Sequence, residues 1–263
     1  MEIKGFLIDL DGVLVKDKDF NIFEDAPEFI KKLRSNYIPF KIATNNSRLP
    51  PEDIAKKLKE KGIPVDKEDI FSPLSLAPKV LNEDGINSIF VLGEDTLINY
   101  LKQYGFKIVN EPKVDAVLVA QDRHLNFDKL KIATTALKRH SAKLYAMNNN
   151  LLSQDGDGLL FPGVGAISKM FVYACTCNEN YIHFGKMSDI YNKYIFQSFD
   201  FPPDKIAIIS DDLYVDLAGY KKLGLKTIFL TTGKYQITDI KENFEPDLIF
   251  NSLKELLNYL EIK

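Results

Sequence analysis

The sequence predicts an α/β protein with a mostly parallel sheet and helices on its faces. Two observations support this. Apolar runs typical of strands alternate with helical stripes almost throughout the chain, and two late runs are apolar enough to be buried on both faces. The 263 residues allow one large domain, or a core domain with a second domain inserted into it.

The first part of the chain is predicted to hold two strands and two helices. The runs 5–8 and 38–43 are apolar enough for strands. Pro27 suits the first turn of the first helix, and Gly62 is a plausible end for the second. The predicted buried faces of these helices are Ala26, Phe29, Ile30 and Leu33, then Ile54, Ala55 and Leu58.

A second α/β series follows a predicted junction around Ser72. Its strands are 89–92, Ala116–Val119 and 144–146, and Asn126 is the candidate cap of its middle helix. The predicted helix faces are Leu97, Ile98, Leu101 and Tyr104, then Phe127, Leu130, Ala133 and Leu137, then Ile167, Met170, Phe171 and Ala174.

The last part of the chain, like the first, alternates apolar strands with an amphipathic helix. Strands are predicted at 206–209, 227–230 and Leu248–Phe250, followed by a closing helix with Ser252 as its candidate cap. The predicted buried face of that helix is Leu253, Leu256, Leu257 and Leu260.

Composition and charge exclude several classes of protein. The net charge of −3 argues against a general nucleic-acid surface, and no apolar run is long enough to span a membrane. Met1 leads straight into the first strand, so we expect no signal peptide, no membrane partner and a cytoplasmic location. Cys175 and Cys177 lack the spacing of a zinc site and are expected to be reduced packing residues.

Two carboxylates close the first predicted strand. Asp9 and Asp11 lie two residues apart, and Gly12 lets the backbone turn there. Two carboxylates ~4 Å apart at an effective dielectric of ~20 repel each other by about 4 kcal/mol. A hard dication such as Mg²⁺ would relieve this repulsion. An Asp-Gly turn with one solvated acid is the alternative.

Three more polar segments follow predicted strands, where open α/β sheets bind their ligands. Thr44 to Ser47 offers a hydroxyl and amides suited to a phosphate oxygen, or else caps the next helix. Lys186 could place a point charge on phosphate, or be an ordinary solvated lysine. The acids Asp211, Asp212 and Asp216 are costly together without a cation, although one of them could be a helix cap. This set of groups suits phosphoryl transfer through a carboxylate nucleophile.

The combination resembles the haloacid dehalogenase superfamily. Its four motifs match, in order, Asp9 to Gly12, Thr44, Lys186, and Asp211 to Asp216. The sequence Thr-Asn-Asn-Ser at the second motif is similar to the NagD-like branch, subfamily IIA, which carries an inserted α/β cap. The resemblance implies a Rossmann-like (HAD-like) parallel-sheet core at 1–75 and 183–263, with the inserted α/β cap at 76–182.

The resemblance also implies a role for each residue. Asp9 is the nucleophile that becomes an aspartyl phosphate, and Asp11 is the general acid and base. Thr44 holds a phosphoryl oxygen and Lys186 balances charge. Mg²⁺ is held by Asp9, the Asp11 carbonyl and Asp211, with Asp216 in support. The implied substrate-binding residues are Gly12, Asn45, Asn46, Asn148 and Asn150.

The predicted function is Mg²⁺-dependent hydrolysis of a small phosphate monoester, with a homodimer through the cap as a further expectation. A phosphotransferase or phosphomutase on the same scaffold is one alternative. A catalytically silent phosphate-binding protein is another, because Ser210 and Asp212 replace the Gly and Arg usual in this branch. Met187 stands where the family has Pro, and the cap stretch 147–150 lacks the family's Thr and Asp, so no named substrate is implied.

Overall fold

The computed structural model describes residues 2–154, 157–175, 181–242 and 244–260. The chain divides into two compact units. The core unit comprises Met1–Thr44, Pro51–Phe71 and Asn192–Lys263, and the inserted unit comprises Asn45–Pro50 and Ser72–Tyr191. The domain limits predicted from the sequence stay a prediction. The prediction for Cys177 lies outside the described residues, while Cys175 is buried, as expected for a packing residue.

A six-stranded parallel sheet forms the centre of the core unit. Its spatial order is β13-β12-β11-β1-β2-β3. The strands are β1 (Gly5–Asp9), β2 (Phe40–Ala43), β3 (Ile70–Phe71), β11 (Ile206–Ser210), β12 (Lys226–Leu230) and β13 (Leu248–Phe250). Residues of β1 and β11 are buried throughout, as expected for central strands covered on both faces.

The helices that accompany this sheet are α1 (Ala26–Ser35), α2 (Pro51–Glu60), α7 (Asp189–Phe196), α8 (Ala218–Lys222) and α9 (Leu253–Tyr259). The sequence predicts three of them, α1, α2 and α9, and did not predict α7 and α8. All four predicted face residues of α1 and all three of α2 are buried. Ser252 caps α9, its hydroxyl accepting from the Glu255 N–H. Leu260 lies one residue beyond the end of α9.

The inserted unit contains its own parallel sheet, in the order β10-β7-β6-β4-β5. Its strands are β4 (Ser88–Leu92), β5 (Lys107–Ile108), β6 (Ala116–Val119), β7 (Lys143–Ala146) and β10 (Ile182–His183). The helices are α3 (Pro73–Glu83), α4 (Asp95–Gln103), α5 (Phe127–Arg139) and α6 (Val164–Cys175). A hairpin of β8 (Leu152–Gln154) and β9 (Leu160–Pro162) precedes α6.

Four predicted face residues of the inserted unit are exposed, so those predictions are wrong. Phe127 is the first residue of α5 and Tyr104 lies just beyond α4, so both are at helix ends. Met170 and Ala174 lie on the outer side of α6, and Phe171 and Cys175 are buried instead. Asn126 caps α5 as predicted, accepting from the Lys129 N–H. Among the described residues, no helix has the length and apolar character to cross a bilayer.

Candidate active site

The strand order of the core sheet reverses between β1 and β11. Strands β2 and β3 extend the sheet on one side of β1, and β11 to β13 extend it on the other. The register pairs Ile8 with Ile209, so the two strands end side by side. Ligands of open α/β sheets bind beyond the carboxyl ends of the strands at such a switch point. Asp9 and Ser210 are the last residues of these two strands.

Three predicted acids gather at this point. Asp9, Asp211 and Asp216 are all buried, at 7%, 7% and 3% exposure. The Ser210 hydroxyl links two of them, because its oxygen lies 3.2 Å from Asp9 Oδ2 and 3.0 Å from Asp216 Oδ2. The Leu10 N–H donates to the other oxygen of Asp9, at 2.8 Å. Burying several carboxylates in one place costs free energy that a cation would offset.

Gly12 lets two loops approach each other closely. Its φ of +77° is a conformation that favours glycine, and a side-chain carbon there would overlap the Asp211 carboxylate. Gly12 also donates its N–H to the Val15 carbonyl, at 2.8 Å, which closes the turn after β1. The glycine of the first motif therefore makes room for an acid of the fourth.

Asp11 differs from the other acids because it is exposed to solvent. It lies in the turn after β1, where it forms an isolated bridge with Val15. An exposed carboxylate exchanges protons readily with water, whereas a buried one does so at a cost in desolvation. The structure thus places the two acids of the first motif in different environments.

Thr44 follows β2, the neighbour of β1 in the sheet. It is fully buried, and its N–H donates to the Phe71 carbonyl, at 3.0 Å. Its strand pairs Ala43 with Asp9. Thr44 therefore lies at the same edge of the core sheet as the three buried acids.

A second group of predicted residues meets within the inserted unit. The Asn45 side-chain oxygen accepts from the Lys186 N–H, at 2.7 Å, and Lys186 is only 8% exposed. Gly185 lies against both Asn45 and Asn148, since a Cβ there would come within 3.0 Å of each. The Asn148 amide nitrogen lies 3.4 Å from the Ser47 hydroxyl. Asn148 follows β7 and Lys186 follows β10, and these two strands are parallel neighbours.

Two other predicted substrate-binding residues have structural partners. Asn46 accepts from the N–H groups of Arg48 and Leu49, both at 3.1 Å, so its oxygen closes a turn. The Asn150 N–H donates to Asn148 Oδ1, at 3.1 Å. These bonds fix the loops on which the asparagines lie.

Met187, the residue after the motif lysine, has a backbone conformation that excludes proline. Its φ is +68°, and proline is confined to a φ near −65°. The backbone after Lys186 therefore follows a path that the family's usual residue cannot take.

The segment after β12 also contacts the site, although the sequence pattern did not predict it. The Thr232 hydroxyl donates to the Gly12 carbonyl at 2.5 Å, and the Lys234 N–H donates to Asp211 Oδ2 at 2.6 Å. Gly233 lies directly against the Asp211 carboxylate. The signal was available, since a polar Thr-Thr-Gly-Lys run follows an apolar strand like the other four segments.

The donor set fits Mg²⁺. Within the described residues, no cluster of three or more Asp, Glu, His or Cys side chains forms a ready metal cage. Mg²⁺ does not need one, because it is usually bound by one or two carboxylates, with water and substrate phosphate completing the octahedron. Asp9, Asp211 and the backbone carbonyl of Asp11 supply that kind of oxygen set.

Two family models match most of the chain. One is described as haloacid dehalogenase-like hydrolase and matches residues 6–107. The other is described as HAD-hydrolase-like and matches residues 183–256. Together they include all four motif segments.

Relatives match over nearly their full length. An acid sugar phosphatase of Staphylococcus aureus is 29% identical over 262 residues, which is 99% of each chain. A hypothetical protein of Pyrococcus horikoshii OT3 superposes with a TM-score of 0.85 at 29% identity, over 98% of this chain and 100% of that one. A 4-nitrophenylphosphatase of Thermotoga maritima gives a TM-score of 0.84 at 26% identity, over 97% of both.

Proposed function

This chain belongs to the haloacid dehalogenase-like hydrolases and is a phosphatase of that family, and we propose that it hydrolyses small phosphate monoesters through an aspartyl phosphate on Asp9, with Mg²⁺ as its cofactor. The observation that carries this proposal is that Asp9 ends β1 and Asp211 directly follows β11, its partner at the switch point, with both residues buried.

Asp9 is the proposed nucleophile. Its two oxygens accept from the Leu10 N–H and face the Ser210 hydroxyl, so the carboxylate is held in one orientation. An oriented carboxylate loses little entropy when it attacks phosphorus in line. The attack forms the Asp9–phosphorus bond and releases the substrate oxygen, and water then cleaves the new acyl phosphate.

Asp11 is the proposed general acid and base. In its protonated form it gives a proton to the leaving oxygen, and as a carboxylate it takes a proton from the attacking water. Its exposure to solvent supports this role, because the residue must exchange its proton between the two half-reactions.

Asp9, the Asp11 carbonyl and Asp211 are proposed to hold Mg²⁺, with Asp216 in a supporting position. A bound Mg²⁺ would offset the negative charge that gathers when an anionic nucleophile meets an anionic phosphate. Ser210 supports the assignment of Asp216, since one hydroxyl joins that residue to the nucleophile.

Thr44, Asn45 and Lys186 are proposed to hold the phosphoryl group. Thr44 supplies a hydroxyl and Asn45 its backbone, and Lys186 supplies a cation that neutralises oxygens in the transition state. The bond from the Lys186 N–H to Asn45 supports this, because Asn45 directly follows Thr44 in the sequence. Gly12, Asn46, Asn148 and Asn150 are proposed to contact the substrate.

The proposed substrates are small because the full-length relatives are named for small phosphate esters. The curated relatives are named acid sugar phosphatases, and the Thermotoga protein is named for a nitrophenyl ester. We propose that the inserted unit acts as a cap that excludes water and selects the leaving group. A cytoplasmic location also stays a prediction.

A homodimer through the inserted unit is a further proposal. The register of the β8–β9 hairpin puts Leu152, Leu160 and Pro162 on one face, and all three are exposed. Leu152 and Leu160 are each 62% exposed. Sedimentation velocity tests the proposal, because a double change of these leucines to lysine should convert a dimer to a monomer.

The test of the main proposal is hydrolysis of 4-nitrophenyl phosphate with and without Mg²⁺. We expect Asp9→Asn to lower kcat by roughly a thousandfold, as removal of a nucleophile does where groups act as a unit. Asp17→Asn is the matched control, since Asp17 is an exposed acid of the same unit. Mass spectrometry after acid quench should find phosphate on Asp9 in the wild type.

Two results would contradict the proposal. One is wild-type hydrolysis no faster than that of Asp9→Asn across a broad panel of phosphorylated metabolites. The other is a phosphate adduct on a residue other than Asp9. Transfer of phosphate to an added alcohol instead of water would favour a phosphotransferase, and product analysis distinguishes the two reactions.

A further inference from the structure

We infer that Lys234 is a positioning residue of the proposed metal site, which fixes Asp211 through an ion pair with Asp212. This inference rests on the proposed function, because Asp211 is a proposed Mg²⁺ ligand. It assigns a role to a residue outside the four motifs.

Lys234 holds two consecutive acids at once. Its backbone N–H donates to Asp211 Oδ2 at 2.6 Å, and its Nζ donates to Asp212 Oδ2 at 2.9 Å. The backbone bond restrains the proposed ligand directly. The side-chain bond joins Lys234 to Asp212, the residue after Asp211. The backbone bond and the side-chain bond therefore restrain the same two loops.

Asp212 in turn fixes the loop that follows β11. Its Oδ1 accepts from the N–H groups of Tyr214 and Val215, at 3.1 and 2.9 Å. One carboxylate therefore closes the turn with one oxygen and binds Lys234 with the other. The acid that stands where this branch usually has arginine is compensated by a lysine from another loop.

Two tyrosines, Tyr214 and Tyr235, close a circuit, meaning a ring of contacts, with Lys234 and Asp212. The Lys234 Nζ lies 4.9 Å from the centre of the Tyr235 ring, and that ring packs edge-to-face on Tyr214 at 5.4 Å. Tyr214 is the residue whose N–H is bound by Asp212. The circuit Lys234, Asp212, Tyr214 and Tyr235 joins the loops after β11 and β12, which flank Asp211.

The ion pair is suited to positioning more than to stability. The side chains of Lys234 and Asp212 are 55% and 17% exposed, and a pair with such an open cation contributes about 0–1 kcal/mol to folding. Its geometric effect is larger, because a partner that orients a metal ligand typically changes metal affinity by about 10- to 100-fold.

The experiment compares two single variants whose charge changes have opposite signs. Lys234→Met makes the site more negative, and Asp212→Asn makes it less negative while keeping the oxygen that closes the turn. If only the electric field mattered, Mg²⁺ would bind more tightly to the first and more weakly to the second. The inferred positioning role predicts weaker binding in both, by about tenfold.

Isothermal titration of the metal-free protein with Mg²⁺ measures this without reference to activity. Lys234→Arg should retain wild-type affinity, and the double variant should bind no more weakly than either single variant, because both remove one interaction. Lys221→Met is the control, since it removes a lysine of the same unit paired with Asp247 at 3.2 Å. Circular dichroism checks that each variant is folded.

Opposite changes in the two single variants, or no change in either, would overturn the inference and leave the proposed function intact. A wild-type protein that binds no Mg²⁺ in the titration would overturn both the proposed metal site and this inference. Phosphate trapped on Asp9 reports separately on the catalytic proposal, so the two failures are distinguishable.

Discussion

The Ser210 hydroxyl lies 3.2 Å from Asp9 Oδ2 and 3.0 Å from Asp216 Oδ2, and it accepts from the Asp212 N–H at 3.1 Å. A hydroxyl has one hydrogen, so it can donate to only one of the two carboxylates at a time. Ser210 is completely buried. The oxygens of two buried acids thus share one donor at the point where β1 and β11 end.

Replacing this serine should harm both activity and stability. We expect Ser210→Ala to lower the free energy of unfolding by about 1.5–3 kcal/mol, the usual value of a hydrogen bond to a charged group. We also expect kcat to fall about tenfold, because the proposed nucleophile loses a restraint. Urea unfolding and 4-nitrophenyl phosphate hydrolysis measure the two effects.

Ser35→Ala is the matched control for Ser210→Ala. Ser35 is an exposed serine of the core unit, bound to the Lys32 carbonyl, and its loss should leave both quantities almost unchanged. Equal behaviour of the two variants would show that the hydroxyl at the sheet edge has no role in holding the acids.

Asn45 should affect catalysis through Lys186. We expect Asn45→Ala to lower kcat/KM about tenfold, because the Lys186 N–H loses its acceptor and the ammonium shifts. In a Lys186→Met background the same change should cost almost nothing, since the two residues then act as one unit. Asn87→Ala, in an exposed turn of the inserted unit, is the control.

The pH dependence of stability should include a contribution from Asp247. Burial alone would raise the pKa of this carboxyl, but hydrogen bonds from Thr227 and Lys221 outweigh it and hold the pKa below the usual 3.8. A depressed folded-state pKa stabilises the protein above the unfolded value, and this stability disappears as the pH falls through the folded value.

We therefore expect Asp247→Asn to lower Tm at pH 7 and to converge with the wild type below pH 3.8. Differential scanning calorimetry across this range measures the effect. Asp200→Asn, an exposed acid of the same unit, should give no such convergence. A constant Tm difference at every pH would contradict the assignment.

The strand ends were predictable because the apolar runs before them are local signals. The run 206–209 is buried throughout, and the acids that follow it lie where a parallel sheet must place them. Thr232 and Lys234 were missed because their partners, Gly12 and Asp212, come from distant parts of the chain. Side-chain pairing between loops depends on tertiary structure, which periodicity does not encode.

Helix faces were predictable in the middle of a helix and unreliable at its ends. Phe127 fits the 3.6-residue period of α5, yet it is 76% exposed and is the first residue of that helix. Tyr104 fits the period of α4 but lies one residue after its end, while Tyr100 is buried in its place. The period gives the direction of a face, and tertiary packing decides how far along the helix that face is covered.

Gly12 allows a test that separates backbone strain from crowding at the site. Gly12 and Gly62 both have positive φ, of +77° and +87°, so alanine at either position should cost about 1 kcal/mol of stability. Only at Gly12 would the new methyl group meet the Asp211 carboxylate, whereas nothing lies within 4 Å of a Cβ on Gly62.

We therefore expect Gly62→Ala to keep full activity and full Mg²⁺ affinity. Gly12→Ala should displace Asp211 and lose at least about tenfold in Mg²⁺ affinity. Chemical denaturation and metal titration of both variants measure the two effects, and normal Mg²⁺ binding by Gly12→Ala would remove Asp211 from the proposed metal site.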